Sequence, residues 1–425
     1  MKLPSTMKLL PAMIVGLLAG NAFASGFQLL EQSSSGLGNA YAGSAAVAEN
    51  ASTIFYNPAG MTQLKERELS TGVTAIGTSF KFTDKGSSVG FLTGTGTGSN
   101  GGGWGFVPNA YMSWALNKDL YLGLGVGAPF GLKTDYDNQW VGAAQSTMFD
   151  VKTYNLNPSI AFRVNDQVSV GGGLNWQRLT ADYTRQVAVV SGVTSASPLA
   201  LDLQGDSWGW NVGALFTLSP ATKLGVSYRS KVSYDLTGGI NITGPSAALN
   251  ASRSSGAKAS LELPDTLILS GTHQLSDKLQ LLGDISWTGW SSIPKIDIVR
   301  TNGALSGETA QTLNTDFRDT TRVAVGANYQ YRGDLKLKFG LAYDQTPVKG
   351  ASTRLVSLPD NDRTWFSTGA QWTVGKGGTI DAGVTYLLLK NSQIDNNQLA
   401  DGRGRIIGDY VANAWLFGLQ YSRAF

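Results

Sequence analysis

Arg318, Arg322 and Arg185 are the residues of this sequence best suited to bind something. A guanidinium aimed into an enclosed, water-poor space can grip a carboxylate through two parallel hydrogen bonds. By alternation, Arg318 and Arg322 fall on the same side as Thr320, Ala324 and Gly326, and Arg185 shares its parity with Asn175 and Gln177. That small and polar side is the one expected to face inward. Each arginine also has an acid nearby, Asp316, Asp319 or Asp182, with which it can form a purely structural ion pair, and alternation does not separate the two roles. Catalysis has less to stand on. There is one histidine, His273, beside a tight turn, and no cysteine. This removes disulfides, thiolate metal sites and most acid–base constellations. The run Leu122-Gly123-Leu124-Gly125-Val126-Gly127 imitates a phosphate loop, but it has a strand pattern and no helix after it. No enzyme, cofactor or metal is expected.

The elements that must position these residues are strands. Trp415, Phe417, Leu419, Tyr421 and Phe425 occupy one parity of the last segment, and Ala412, Ala414, Gly418, Gln420, Ser422 and Ala424 the other. One apolar face and one small or polar face suit a wall with lipid outside and a polar lumen inside. Arg423 breaks the apolar parity close to the end, where a long cationic side chain can reach the interface. The same alternation recurs in fourteen candidate strands: 67–84, 106–117, 119–131, 151–165, 167–187, 206–218, 222–243, 256–275, 277–299, 316–332, 334–347, 362–374, 378–392 and 410–425. Tight turns such as Asn117-Lys118-Asp119 and Arg332-Gly333-Asp334 alternate with long Gly-, Ser-, Asn- and Asp-rich connections. An outer-membrane barrel has short periplasmic turns and long outer loops in this way, and an even strand number closes it without free edges. The 53 glycines, 11 Trp, 15 Tyr and 16 Phe fit a sheet with aromatic girdles. On the inner side of one hairpin lie Lys336 and Lys338, because a lysine facing lipid at mid-bilayer costs ~2–4 kcal/mol.

Before the strands come two different segments. Residues 1–24 read as a signal peptide: Lys2 and Lys8 are basic, Met7 to Leu18 is mostly apolar, and Ala22-Phe23-Ala24 ends small-x-small. Losing Lys2 and Lys8 lowers the net charge from +3 to +1, so no nucleic acid partner is implied. Residues 25–66 are Gly- and Ser-rich and do not alternate. They are too polar to fold alone, and a plug inside the lumen of a barrel formed by residues 67–425 is the economical reading, because irregular backbone is tolerated at membrane depth only where it is enclosed.

Ser25-Gly26-Phe27-Gln28-Leu29, Ser33-Ser34-Ser35-Gly36-Leu37-Gly38 and Asn57-Pro58-Ala59 resemble the start of FadL-type outer-membrane transporters. The resemblance continues through Val107-Pro108-Asn109, Phe130-Gly131-Leu132-Lys133-Thr134, Leu263-Pro264-Asp265, Trp287-Thr288-Gly289-Trp290-Ser291, Phe317-Arg318-Asp319, Arg322-Val323-Ala324-Val325-Gly326 and Leu358-Pro359-Asp360-Asn361-Asp362-Arg363. It implies an all-β fold, a 14-stranded antiparallel transmembrane barrel plugged by an N-terminal hatch, in the bacterial outer membrane. It further implies passive transport of hydrophobic molecules, foremost long-chain fatty acids. Monoaromatic hydrocarbons are the alternative cargo, and a general aqueous porin the alternative function.

The resemblance also implies roles for particular residues. The family's third strand kinks inward and opens the wall. Here Gly127, Pro129, Phe130 and Gly131 stand at that place, and Pro129 cannot donate to a ladder; an ordinary loop start would read the same. Asn57, Pro58 and Ala59 are expected near the gap as gating elements, and Phe27 at the ligand; structural packing is the alternative for both. The apolar Val189, Val190, Leu199, Leu201 and Leu249 are expected in outer loops that capture ligand, or that pack on one another. Besides ligand and membrane lipid, the expected partner is the barrel-assembly machinery during insertion, and the chain is expected to be a monomer.

Overall fold

The computed structural model describes residues 26–92, 96–188 and 197–425, apart from the side chain of Leu249. Fourteen antiparallel strands close on themselves. They are β1 (Arg67–Asp84), β2 (Trp104–Ala115), β3 (Leu120–Gly127, resuming as Gly131–Asp135), β4 (Met148–Arg163), β5 (Val168–Val187), β6 (Ser197–Ser219) and β7 (Thr222–Arg229 with Val232–Ile242). There follow β8 (Ser255–Leu263 with Thr266–Gln274), β9 (Leu279–Thr288 with Lys295–Arg300), β10 (Thr309–Asn314 with Thr320–Arg332), β11 (Leu335–Asp344), β12 (Arg363–Val374), β13 (Gly378–Leu389 with Ser392–Asn397) and β14 (Arg405–Ala424). Each pairs with its sequence neighbour, and β14 returns to β1 in unbroken register from Glu68↔Ala424 to Asp84↔Gly408. Among the described residues no helix is long and apolar enough to cross a membrane; strands do the crossing.

Alternation sets the two faces. Trp415, Phe417, Leu419 and Tyr421 are exposed outward, while Ala412, Ala414, Gln420 and Ser422 are buried inward. Leu122 faces out, and Gly123, Gly125 and Gly127 face in. The two ends of the barrel differ in their connections, tight turns at one and long excursions at the other.

Two strands depart from the sequence expectation. β6 starts at Ser197 rather than near 206, so Leu199, Leu201 and Leu203 belong to a strand wall, not to a loop. β10 is interrupted over residues 315–319, where Asp316 has a φ of 43°. Burial keeps one parity through Asp316 to Phe317 and resumes on the other from Thr320, so the alternation slips at residues 318–319 and Arg318 is exposed instead of facing the lumen.

Gly26–Glu66 lies inside the barrel, toward the tight-turn end, as short helical turns (Leu37–Asn39, Thr53–Tyr56 and Pro58–Gln63). The wall fits around it closely. A side chain at Gly369 would meet Gly38, and at Gly383 it would meet Leu37. The segment is held by charge as well. Lys338 Nζ, nearly inaccessible to solvent, lies 2.8 Å from Glu49, 2.9 Å from Asp381 and 3.0 Å from the Ser35 carbonyl, and Lys336 lies 2.7 Å from Glu49.

Candidate functional site: a broken strand, an apolar chamber and a basic mouth

The third strand carries the break. Leu120–Gly127 is bonded to β2 up to Ala110↔Val126 and to β4 up to Gly127↔Asn155. After the interruption Gly131–Asp135 forms a strand ladder with β4 alone. Among the described residues no ladder joins Trp104–Asn109 of β2 to β3. Above the break the Asp135 amide donates at 3.1 Å to the carbonyl of Gly101, in the connection that precedes β2. Pro129 has no amide to offer a neighbour. Ala128 and Phe130 turn inward and are buried, and on the rim of the break both polar atoms of the buried Asn109 side chain lack a partner.

The N-terminal segment supplies what β2 does not. The Leu29 amide donates to the Pro129 carbonyl at 2.7 Å and the Gly131 amide to the Phe27 carbonyl at 2.8 Å. Gln32 bonds both the carbonyl and the amide of Ala128, at 2.7 and 3.0 Å. A side chain at Gly127 would strike Gln32, so glycine there permits the close approach. Asn57-Pro58-Ala59 lies elsewhere. Asn57 Nδ2 bonds the carbonyls of Ala45 at 2.7 Å and Ala214 at 2.9 Å, its Oδ1 accepts from the Ala59 amide, and Ala59 packs under Gly171. This turn therefore sits against β5 and β6. The stretch bonded to the break is Phe27–Gln32.

Above that stretch is a chamber lined almost wholly by carbon, including Phe27, Val151, Leu201, Leu203, Ile298 and Phe317. Phe27 stacks edge-on against Trp290 at 5.0 Å and lies 5.9 Å from Phe130, so one aromatic cluster separates the chamber from the break. Gly26 holds the approach: its φ is +60°, its amide bonds Asp360 at 3.0 Å, and a side chain there would overlap Trp290. Leu201 and Leu203, expected in a capture loop, thus line the interior. Leu199 lies one step higher, at the mouth. Val189, Val190 and the Leu249 side chain lie outside the described residues.

At the long-loop end a second space, about 1120 Å³ and open to solvent, is lined by Arg185, Arg253, Arg300 and Arg403, with Phe91, Leu199 and Ile242 among its apolar residues and Glu308 and Asp401 as its acids. Among the described residues none of the four arginines is in an ion pair. Arg300 bonds the Arg253 carbonyl and Ser255, Arg403 the Ala310 carbonyl, and Arg185 donates from Nε to Gln311 at 3.2 Å. The other two candidate arginines have structural partners. Arg322 is buried between Asp284, the Ala40 carbonyl and the ring of Trp365. Arg318 donates to the Thr346 carbonyl at 3.1 Å and lies 3.7 Å from Asp362. Of the three arginines singled out by sequence, Arg185 alone lines this space. Arg300 ends β9 one residue past its expected span, and Arg403 lies in the connection before β14, so neither had a strand parity to place it. Among the described residues no His, Cys, Asp or Glu group could hold a metal.

Residues 15–425 match the family described as outer membrane protein transport protein (OMPP1/FadL/TodX). Among similar proteins, outer membrane protein P1 of Haemophilus influenzae strain Rd is 32% identical over 96% of this chain and 97% of that one. The long-chain fatty acid transport protein of Escherichia coli K12 is 28% identical over 97% of each chain. Among solved structures, a Pseudomonas aeruginosa FadL homologue superposes with a TM-score of 0.85 at 24% identity, covering 94% of this chain and 99% of that one. The Ralstonia pickettii toluene transporter TbuX gives 0.69 at 17% identity, covering 93% and 100%; both likenesses show the shared fold. The closed barrel and this family match make the molecule an outer-membrane transporter of hydrophobic compounds, not an enzyme, and the chain belongs to the OMPP1/FadL/TodX family.

Proposed function

We propose that this transporter carries long-chain fatty acids passively from the outer surface into the membrane. The carboxylate docks among Arg185, Arg300 and Arg403, the acyl chain occupies the apolar chamber, and release is sideways through the break between β2 and β3. The observation that carries the reading is the stacking of a basic mouth above a carbon-lined chamber whose floor, Phe27, touches the break at Phe130. Each methylene favours an apolar environment by ~0.8 kcal/mol, so the bilayer is a sufficient sink and no energy source is required. Lateral release spares the alkyl chain a passage through periplasmic water. Residues 25–66 act as the hatch, with Phe27–Gln32 as the part that must loosen for exit. Residues 1–24 serve as the export signal. The barrel works as a monomer, inserted by the barrel-assembly machinery.

A second reading is favoured by one observation: the chamber itself contains no charged side chain, which would equally suit a neutral monoaromatic hydrocarbon. The deciding experiment is uptake of labelled oleate and labelled toluene by cells lacking their own transporter. Wild type is compared with a Pro129→Val/Gly131→Val variant that restores an amide and straightens β3. Oleate uptake that collapses in the variant supports the proposal. Toluene uptake alone transfers the mechanism to the other cargo. Passage of small sugars with neither cargo would replace it with a porin.

A further inference from the structure

The mouth and the chamber are separate spaces one residue step apart on several strands. On β5, Arg185 lines the mouth and Tyr183 the chamber; on β6, Leu199 and Leu201; on β9, Arg300 and Ile298. Residues two apart on a strand share a face, so the two spaces are stacked along the barrel axis. On β10, Ala310 lines the mouth and Leu313 the chamber, with the buried Gln311 between them.

At this level a chain of directed hydrogen bonds crosses the lumen. Arg185 Nε donates to Gln311 Oε1 at 3.2 Å. Gln311 Nε2 donates to the Tyr183 hydroxyl at 2.9 Å, and that hydroxyl donates to the Gln145 carbonyl. The Gln145 side-chain amide continues to the carbonyls of Asn396 at 3.2 Å and Gly404 at 3.4 Å. The chain thus runs from β5 and β10, through the connection between β3 and β4, to the extension of β13 and the start of β14. Tyr183, Gln311 and Gln145 are all buried. This bar lies between residues that line the mouth and residues that line the chamber.

Resting on the fatty-acid reading above, we infer that Gln311 and Tyr183 form a head-group-operated bar that admits carboxylates to the chamber in preference to neutral molecules of the same chain length. A carboxylate gripping a guanidinium side-on takes Nε together with one terminal nitrogen, and here Nε is the atom held by Gln311. Docking therefore displaces the Gln311 oxygen. The amide turns away, Tyr183 loses its donor, and the side chains can part. A neutral ligand offers Arg185 no anionic oxygen, so parting the bar would leave buried amide and phenol groups unpaired without exchange, which is unfavourable. Gln311 and Tyr183 act through Arg185 and are positioning residues.

The test is uptake of labelled oleate against labelled methyl oleate, which have the same chain with and without a charge, by cells lacking their own transporter. Tyr183→Phe and Gln311→Met each break the bar while keeping its bulk. Wild type should favour oleate, and both variants should lower the oleate-to-ester ratio by about tenfold, chiefly by admitting more ester. Folded barrel is verified by heat-modifiable gel mobility. If Tyr183→Phe is poorly inserted, Gln311→Met alone gives the answer. A ratio unchanged in a folded variant, or absent in wild type that does take up oleate, overturns the inference. Wild type that takes up neither compound overturns the fatty-acid reading instead.

Discussion

The inner wall has two halves built on the same alternation and opposite in chemistry. Toward the tight turns the inward residues are polar or absent: Lys338 with Glu49 and Asp381, Arg322 with Asp284, and glycines where Gly26–Glu66 presses on the strands. Toward the long loops they are Val151, Leu201, Leu203 and Ile298. The polar half is filled by the protein's own chain, whose backbone and carboxylates satisfy it. The apolar half has no chain to cover it and is left as a chamber. An apolar wall that the protein does not fill is what a greasy ligand can fill, so the division between the halves separates fixed structure from transport.

Disrupting the polar half should have the largest effect. Lys338→Met leaves Asp381 buried without its cation and Glu49 with Lys336 only, and breaking a buried pair from one side costs ~3–5 kcal/mol. The temperature at which the barrel loses its compact gel mobility should fall, and small hydrophilic solutes should leak through a loosened hatch. A charge placed in the apolar half should do the reverse: Leu203→Glu should lower oleate uptake about tenfold while solutes remain excluded, because an unpaired buried carboxylate is unfavourable next to an alkyl chain. Retained uptake would mean that the ligand bypasses the chamber.

The boundary between the halves should respond to pH. Glu31 lies within the Phe27–Gln32 stretch, is fully buried, and neither carboxylate oxygen has a hydrogen-bond partner. Burial pushes its pKa up to about 8, against the opposing pull of its own nearby backbone amide, Arg363 and Arg322 and with Asp344 adding to the rise; the amide is too poorly aligned to count as a hydrogen bond, so burial prevails. The docked segment thus holds a proton that the released segment gives up at an ordinary carboxylate pKa. Docking should weaken as pH rises from that ordinary value toward about 8 and change little beyond. The hydrogen-exchange protection factors of residues 26–32, which remove the intrinsic pH dependence of exchange, should fall several-fold across this window in wild type and stay flat in Glu31→Gln. Equal slopes in both would show that Glu31 does not control docking. The smallest effect is expected at the chamber floor. Phe27→Ala removes an edge-on contact with Trp290 and a tilted one with Phe130, each worth ~1 kcal/mol, and should speed ligand exchange a few-fold with the barrel's thermal stability unchanged.

Much of this was legible before the fold was known, for a physical reason: a lipid-facing strand must alternate, so Trp415 to Phe425 declared both faces. Pro129 by itself did not declare the break, because Pro108 and Pro158 sit within intact ladders. The errors have physical reasons too. Leu199, Leu201 and Leu203 alternate with Ala200, Asp202 and Gln204, yet they were assigned to a loop because β6 runs past the membrane, where bilayer thickness no longer limits strand length. Arg318 falls inward only if the parity of Thr320 and Arg322 is carried back across residues 318–319, where the alternation slips.

The sequence by itself determined the barrel, its strand order and its two faces, because each follows from local periodicity. Only the tertiary structure decided which inward positions meet the N-terminal segment and which line the chamber. It alone brought Arg185, Gln311, Tyr183 and Gln145 into one line, since closing a barrel joins residues far apart in the chain, and no local pattern records which heights and which strands will face one another across the lumen.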